Sequence, residues 1–280
     1  MRGKLYLVAT PIGNLDDITM RALKKLAEVD LIACEDTRRT IKLLNYYNIN
    51  TPLVSYHKFN EKTQSKTLID RIESGENIAI VSDAGTPIIS DPGLVIVRKA
   101  IESKIDVVAI PGATALISSL IVSGLESSEF SFFGFLPDKT KVRKEKLEYI
   151  KKLTQTLIFY VSPHDYSKDI KDLCDYLGHN RKVSIAREIT KMHEEVIRGS
   201  LGEKEILEYQ PRGEICVVVE GADTFIEEIN NPLCDVSISE HLDFYIGQGM
   251  KRNNAMREVA QDRDISKNNV YELILKEKKG

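Results

Sequence analysis

Long apolar runs are missing from this chain. None of its hydrophobic stretches approaches the roughly 18 residues of a membrane span. The first ten residues enter a strand-like alternation and have no secretory-leader profile, so a cytoplasmic protein is expected. Cysteine is scarce: Cys34, Cys174, Cys216 and Cys234 are far apart and form no CxxC pair, which argues against a zinc site or a disulfide framework. Cys34 and Cys216 sit in apolar, strand-like runs, where reduced core thiols are common. There is no excess of positive charge either. A formal net charge of −3 excludes a polycation that coats nucleic acid, so any such contact must be local. No GxGxxG follows the first strand-like run, which counts against the common dinucleotide-binding arrangement, and no low-complexity tract is present. What remains is a globular composition, 42% hydrophobic and 29% charged, in 280 residues, enough for two cores of ordinary domain size.

The first half alternates short β-rich runs with helical ones: "KLYLVAT", "ITMRALKKLAEV", "LIAC", "RRTIKLLNYYN", "PLVSY", "KTLIDRIESG", "NIAIVS". It continues through "LVIVRKAIES" and "DVVAI" to the apolar helix "ALISSLIVSG", which Gly124 is suited to end. This alternation predicts parallel-leaning α/β construction. "LESSE" then separates two similarly patterned halves, giving expected domains at 1–124 and 125–235. The second is α/β with more strand, through "TLIFYVS", "KVSIAREIT" and "EICVVVEG". From about Phe244 the pattern turns wholly helical, so a small helical tail is expected at 244–280.

Ligand sites in open α/β sheets gather at the carboxyl ends of strands. The polar chemistry recurs at those ends: "TPIGN", "EDTR", "SYHKFNE", "SDAGTP" and "PGAT" follow the first five strand-like runs in turn. In "VSDAGTPIISDPG", Gly85 and Gly93 open backbone geometries closed to other residues, Pro87 and Pro92 fix φ, and Asp83 and Asp91 supply acceptors. Consecutive turns would use the same residues. It is the repetition at five strand ends that favours a small-ligand site.

Seven stretches in order, "VATPIGNLDDIT", "LIACEDTRRT", "SDAGTPIISDPG", "IPGATA", "GFLPDKTKVRKEKL", "AREITKMHEE" and "GEICVVVEG", resemble the small-subunit ribosomal RNA methyltransferases of the tetrapyrrole methylase superfamily. The resemblance runs from about Gly3 to Gly221. It implies two α/β domains of tetrapyrrole methylase type holding S-adenosylmethionine in the cleft between them, a homodimer, and methylation of the ribose 2′-hydroxyl of a cytidine in 16S (small-subunit) ribosomal RNA. Phe59 stands where the family often has a second histidine. "VSPHDY" stands where it has "ESPHR", so Val161 and Asp165 replace a glutamate and an arginine.

A sulfonium methyl donor carries its own leaving group, so the protein mainly aligns the reactants. Expected cofactor contacts are Pro11, the run Ser82, Asp83, Ala84, Gly85 and Thr86, then Asp91, and the run Gly112, Ala113, Thr114 and Ala115. Asp83 or Asp91 would take the ribose hydroxyls or the amino group. A ribose hydroxyl is a poor nucleophile at neutral pH, so a base or a polarising cation is sought among Glu35, Asp36, Arg38, His57, Arg187 and Glu188. Each has an ordinary alternative: Asp36 or Thr37 as a helix cap with Glu35 near the dipole, His57 as a hydrogen-bonded surface residue, Arg187 with Glu188 as an ion pair at a strand end.

For RNA, the window Lys139 to Lys152 has seven basic and two acidic residues. Lys139, Lys141, Arg143 and Lys144 are expected to grip phosphates. Leu147 and Ile150 give the same helix a buried stripe, and a solvated basic face is the alternative. Lys251, Arg252, Arg257 and Lys267 make a weaker basic surface on the tail, where Ala255, Val259, Ile265 and Val270 specify a small core. Two rival functions remain open at this point: a small-molecule, tetrapyrrole-type methyltransferase, and a non-catalytic RNA-binding module with a vestigial cleft. The basic window argues against the first and the intact run of ligand-type loops against the second.

Overall fold

The structure, a computed structural model, describes residues 2–222, 233, 236–263 and 265–277; Cys234 and residue 235, the expected end of the second domain, lie outside them. The chain divides into two units, Met1–Ala222 and Asp223–Gly280.

In the first unit, β1 (Leu5–Val8), β2 (Leu31–Cys34), β3 (Leu53–Ser55), β4 (Ile78–Val81) and β5 (Val107–Ile110) form a parallel sheet in the order β3-β2-β4-β1-β5. Helices α1 (Met20–Glu28), α2 (Thr37–Tyr46), α3 (Glu61–Glu73) and α4 (Leu94–Glu102) connect them. Parallel strands covered on both faces must be apolar throughout. Accordingly β2 and β4 are buried at every position, and the core is split by the sheet into one cluster including Leu68, Ile72 and Ile96 and another including Leu26, Leu44 and Val29. The helix starts are capped locally, α1 by the Thr19 side chain on Ala22 N (3.1 Å) and α2 by Asp36 on Arg38 N (2.9 Å). Because β4, β1 and β5 are neighbours, the loops after them emerge side by side.

Helix α5 (Ala115–Ser123) ends at Gly124, whose φ of 76° is left-handed, as a helix-terminating glycine allows. Its Leu116 and Leu120 pack on Ile158, Cys216 and Val218 of the second sheet. Arg198 of that sheet donates to the carbonyls of Val122 and Ser123, satisfying the helix end. This sheet comprises β6 (Phe130–Gly134), β7 (Thr156–Val161), β8 (Lys182–Arg187), β9 (Glu195–Ser200) and β10 (Ile215–Val219), in the order β6-β7-β10-β8-β9. Only β6 and β7 are parallel; the other pairs are antiparallel. Its other face buries Leu147 and Ile150 of α6 (Thr140–Lys151) and Ile170 and Leu173 of α7 (Tyr166–Leu177), with a short α8 (Lys204–Leu207) at the edge.

The described residues of the second unit form three helices, α9 (Ile238–Gly247), α10 (Arg252–Asp262) and α11 (Lys267–Glu277). Ile238, Leu242, Ala255, Val259, Val270 and Ile274 form its core, with Ile265 packed against it. The helices begin before Phe244, at a capping box in which Ser237 and Glu240 bond each other's backbone. No helix among the described residues is long and apolar enough to cross a membrane.

Candidate active site

A cavity of about 440 Å³ lies within the first unit, walled on one side by loops at the carboxyl ends of the parallel strands and on the other by the second sheet. Its floor is knit together beyond the strands. Thr10, after β1, and Gly85, after β4, exchange both backbone hydrogen bonds at 2.9 and 3.1 Å. Ser82 Oγ donates to Gly85 O (3.1 Å), and Thr86 Oγ1 donates to Ala113 O (3.1 Å) in the loop after β5. Gly85 has φ +81°, and a Cβ there would stand 3.1 Å from Ile12 Cγ2. The following turn is strained: Ile88 and Ser90 are left-handed at φ 79° and 67°, unfavourable above all for a β-branched residue. Across the cavity Glu188 and Thr190 are left-handed too, at 51° and 69°. Such strain persists where surrounding contacts enforce it, commonly beside functional sites.

Four carboxylates line the cavity, Glu35, Asp83 and Asp91 on the loop side and Glu214 on the other, with one cation, Arg39, 3.4 Å from Asp83. Among the described residues, no group of three His, Cys, Asp or Glu side chains is arranged to hold a metal ion. Asp83 is anchored from behind, accepting the Asp36 backbone N–H at 3.0 Å. Burial, then the charges of Glu35 and Asp83, pushes the Asp91 carboxyl up to about 6. Glu35 is raised by burial and by Asp83. The opposite wall brings Phe135, Tyr160, Ser162 and Cys216. Burial raises both the Tyr160 hydroxyl and the Cys216 thiol to about 12, keeping them neutral. Ser119 is fully buried, and its hydroxyl, on the wall beside the Cys216 thiol, meets no hydrogen-bonding partner of adequate geometry. Together the Ser119 hydroxyl and the Cys216 thiol add a buried polar pair to this wall.

Of the residues singled out from sequence, the cavity gathers Glu35, Asp83, Ala84, Gly85, Thr86, Asp91, Thr114 and Ala115. Pro11, Ser82, Gly112 and Ala113 do not line it. Ser82 instead locks the turn, and a Cβ on Gly112 would stand 2.9 Å from the Ala9 Cβ, so this glycine permits close packing of two loops. Asp36 is the α2 cap, and its carboxylate, held down to about 2 by the hydrogen bonds of Arg38, grips that guanidinium at 2.8 and 3.0 Å. Arg187 pairs with Glu195 (3.1 Å), while Glu188 takes Lys191 (2.7 Å) and the Glu214 backbone N–H (2.9 Å). Both hold the β8 end in shape, which positions the wall residues Ile189 and Glu214. His57 does not line the cavity; its Nδ1 is buried without a partner and its field acts on Glu35.

Sequence reasoning missed Ile12, Arg39, Ser119 and Phe135, and all of Tyr160, Ala186 and Cys216. The last three sit on central strands that read as ordinary core. Arg143, expected on the basic face of α6, is a correction. It is buried, with its guanidinium on Asp169 (2.7 Å), Asp172 (2.5 Å) and the Pro137 carbonyl. Spacing along α6 explains it: Arg143 shares the inward stripe with Leu147 and Ile150, whereas Lys139, Lys141 and Lys144 are exposed.

Two sheets joined through α5 around such a cavity define a class of protein. The profile of the tetrapyrrole (corrin/porphyrin) methylases matches residues 4–205, and the chain belongs to that family. Within it, the chain is 47% identical to the ribosomal RNA small subunit methyltransferase I of Halalkalibacterium halodurans, over 97% of this chain and 94% of that one. It is 46% identical to the enzyme of the same name from Thermotoga maritima, over 79% of this chain and 100% of the relative. Among solved structures, a uroporphyrin-III C-methyltransferase from Thermus thermophilus, complexed with S-adenosylhomocysteine, shares the fold with a TM-score of 0.57 at 18% identity, over 78% of this chain and 97% of that one.

Proposed function

We propose that this protein transfers a methyl group from S-adenosylmethionine to the ribose 2′-hydroxyl of a cytidine in small-subunit (16S) ribosomal RNA. The observation that carries the reading is the 47% identity, over nearly the full length of both chains, to a protein named for small-subunit ribosomal RNA methylation. The cavity supports the cofactor. It combines carboxylates suited to an ammonium and ribose hydroxyls, small residues at Ala84, Gly85 and Ala115 that let backbone approach a planar ring, and the buried Ser119 hydroxyl. When bound there, S-adenosylmethionine supplies an activated methyl group whose leaving group is a neutral thioether.

The chain's own residues then have four tasks. Asp83, held by Asp36 N–H and Arg39, and Asp91 bind polar and cationic groups. Ile12, Ile89 and Phe135 give the cavity an apolar side against which donor and hydroxyl are aligned. Glu35 is the proton acceptor: of the six acid–base candidates it alone lines the cavity, and its raised pKa makes it a better base than an ordinary carboxylate. Lys139, Lys141 and Lys144, exposed along α6, contribute sequence-independent phosphate contacts. The assembly is a homodimer, a reading supported by the exposed Ile117 and Ile121 one turn apart on α5, and the protein works in the cytoplasm, where its substrate is made.

The test is a map of 2′-O-methylation in ribosomal RNA from cells with and without the gene, together with calorimetry of S-adenosylhomocysteine on the purified protein. Loss of one cytidine modification is expected. An unchanged map with intact cofactor binding would point to a small-molecule substrate.

A further inference from the structure

We infer that the outer face of α2 is the track along which the RNA strand leaves the cavity, with Tyr46 stacking on a nucleobase that flanks the methylated nucleotide. This rests on the substrate reading above and adds the course of the strand. Arg38, Lys42 and Tyr46 recur every fourth residue, so they lie on one face of the helix. All three are exposed, while Thr40 and Leu44 are buried on the inner side and fix which face is presented. The stripe spans about 12 Å at 1.5 Å per residue, a reach of a few nucleotides. Its first residue is next to the cavity in the chain: Arg39, the neighbour of Arg38, lines the wall.

At its far end Tyr46 borders a second, shallow depression of about 650 Å³, shared with Asn14, Leu15, Asp16, Thr190, Lys191 and Met192. The two hollows adjoin: Ile12 and Ile189 wall the cavity, and their chain neighbours Gly13 and Thr190 wall the depression. A strand with one nucleotide in the cavity therefore has its neighbours over this rim.

Its chemistry suits an unpaired base. Tyr46 is 60% exposed and Met192 94%. Single exposed apolar side chains are ordinary; two in one hollow beside a cavity are not scattered. The Tyr46 ring is backed edge-on by Tyr47 (centroids 4.9 Å, 81°), and the Tyr47 hydroxyl is tied to Leu15 O at 2.7 Å. That backing steadies the ring while its outer surface stays open, the arrangement in which stacking tolerates any base. Phosphate contact is sparse. Arg38 is neutralised by Asp36 and Arg39 by Asp83, whereas Lys42 forms no ion pair among the described residues. Lys191 in the hollow is likewise paired, with Glu188 and Glu214, so Lys42 is the phosphate partner the face offers without a counter-charge, beside one stacking platform, which fits a single strand better than a duplex.

The experiment uses the full-length protein with S-adenosylhomocysteine and an oligoribonucleotide containing the cytidine that the wild type methylates, with 2-aminopurine at each flanking position in turn. One flanking position should be quenched on binding. Tyr46→Ala should abolish that quench and weaken RNA binding about tenfold, at the lower end of what stacking of one base contributes. Tyr46→Phe should keep both, and cofactor affinity should be unchanged in each. Lys42→Ala should lower the salt slope of RNA binding by about 0.7, one phosphate's share. An active wild type whose quench, affinity and rate are indifferent to Tyr46→Ala overturns this inference alone. A wild type that methylates no ribosomal RNA overturns it together with the substrate reading.

Discussion

Thr10 and Gly85 hold each other through both backbone hydrogen bonds at a point where their parallel strands have already ended. This antiparallel bridge makes the loops after β1 and β4 one rigid floor. Gly85 is left-handed and already close to Ile12, so Gly85→Val must either give up the turn or crowd the cavity. The expected cost is roughly 1–3 kcal/mol of stability and a loss of cofactor affinity of about tenfold or more. Thermal unfolding and calorimetry would check this, and unchanged affinity would remove the loop from the cofactor site.

Asp91 sets a pH dependence with a defined sign. Its folded-state pKa, about 6, lies above the value of an unfolded aspartate, so the ligand-free protein holds an additional proton between about pH 4 and 6 and loses stability as pH rises through that window. Asp91→Asn should therefore stabilise the ligand-free protein at about pH 7.5, by about 1 kcal/mol once solvent screening is allowed for, and leave it unchanged near pH 4. Binding of the cationic cofactor should move oppositely, strengthening as pH rises through about 6, and the variant should lose that dependence. Melting curves and calorimetry at both pH values test the two signs separately.

Arg143 and its neighbours on α6 should separate cleanly by experiment. Removing the buried guanidinium leaves Asp169 and Asp172 facing each other without a cation, so Arg143→Ala should cost about 3–5 kcal/mol. Lys141→Glu with Lys144→Glu should leave stability within about 0.5 kcal/mol and instead weaken RNA binding and flatten its salt dependence. Chemical denaturation and filter binding on the same set of variants give the comparison. RNA affinity indifferent to the lysine pair would reduce this helix to a solvated face.

The helical unit offers a truncation whose cut matters. Ending the chain before Phe244 would split α9, whereas ending it after Ala222 removes the unit whole. The Thermotoga maritima relative is matched over its entire length by 79% of this chain, so a family member exists without about a fifth of it. The Met1–Ala222 fragment should fold, melt within a few degrees of the full chain and bind S-adenosylhomocysteine normally. Its KM for ribosomal RNA or the assembled subunit should rise more than its kcat falls, the mark of lost docking. A fragment that aggregates or loses cofactor affinity would show the unit to be a brace instead.

The parallel half of the fold is legible in the sequence because short Val/Ile/Leu runs alternating with amphipathic helices leave few ways to bury both faces of a sheet. The polar turns at its strand ends are legible for a similar reason, since Gly, Pro and Asp at those positions impose backbone geometry locally. Asp83, Gly85, Thr86 and Asp91, singled out from residue type and position, all line the cavity. Only tertiary structure decided the far wall. Tyr160, Ala186 and Cys216 lie on strands whose pattern says core; they face the cavity because α5 sets the second sheet opposite the loops of the first. The basic residues of α6 divide for the same kind of reason. Composition counts Arg143 with the lysines, but which side of a helix meets solvent depends on what packs against it, and here α7 brings Asp169 and Asp172 to meet the guanidinium. Local chemistry was written in the chain; the pairing of surfaces far apart in sequence was not, because it depends on long-range packing that no single segment encodes.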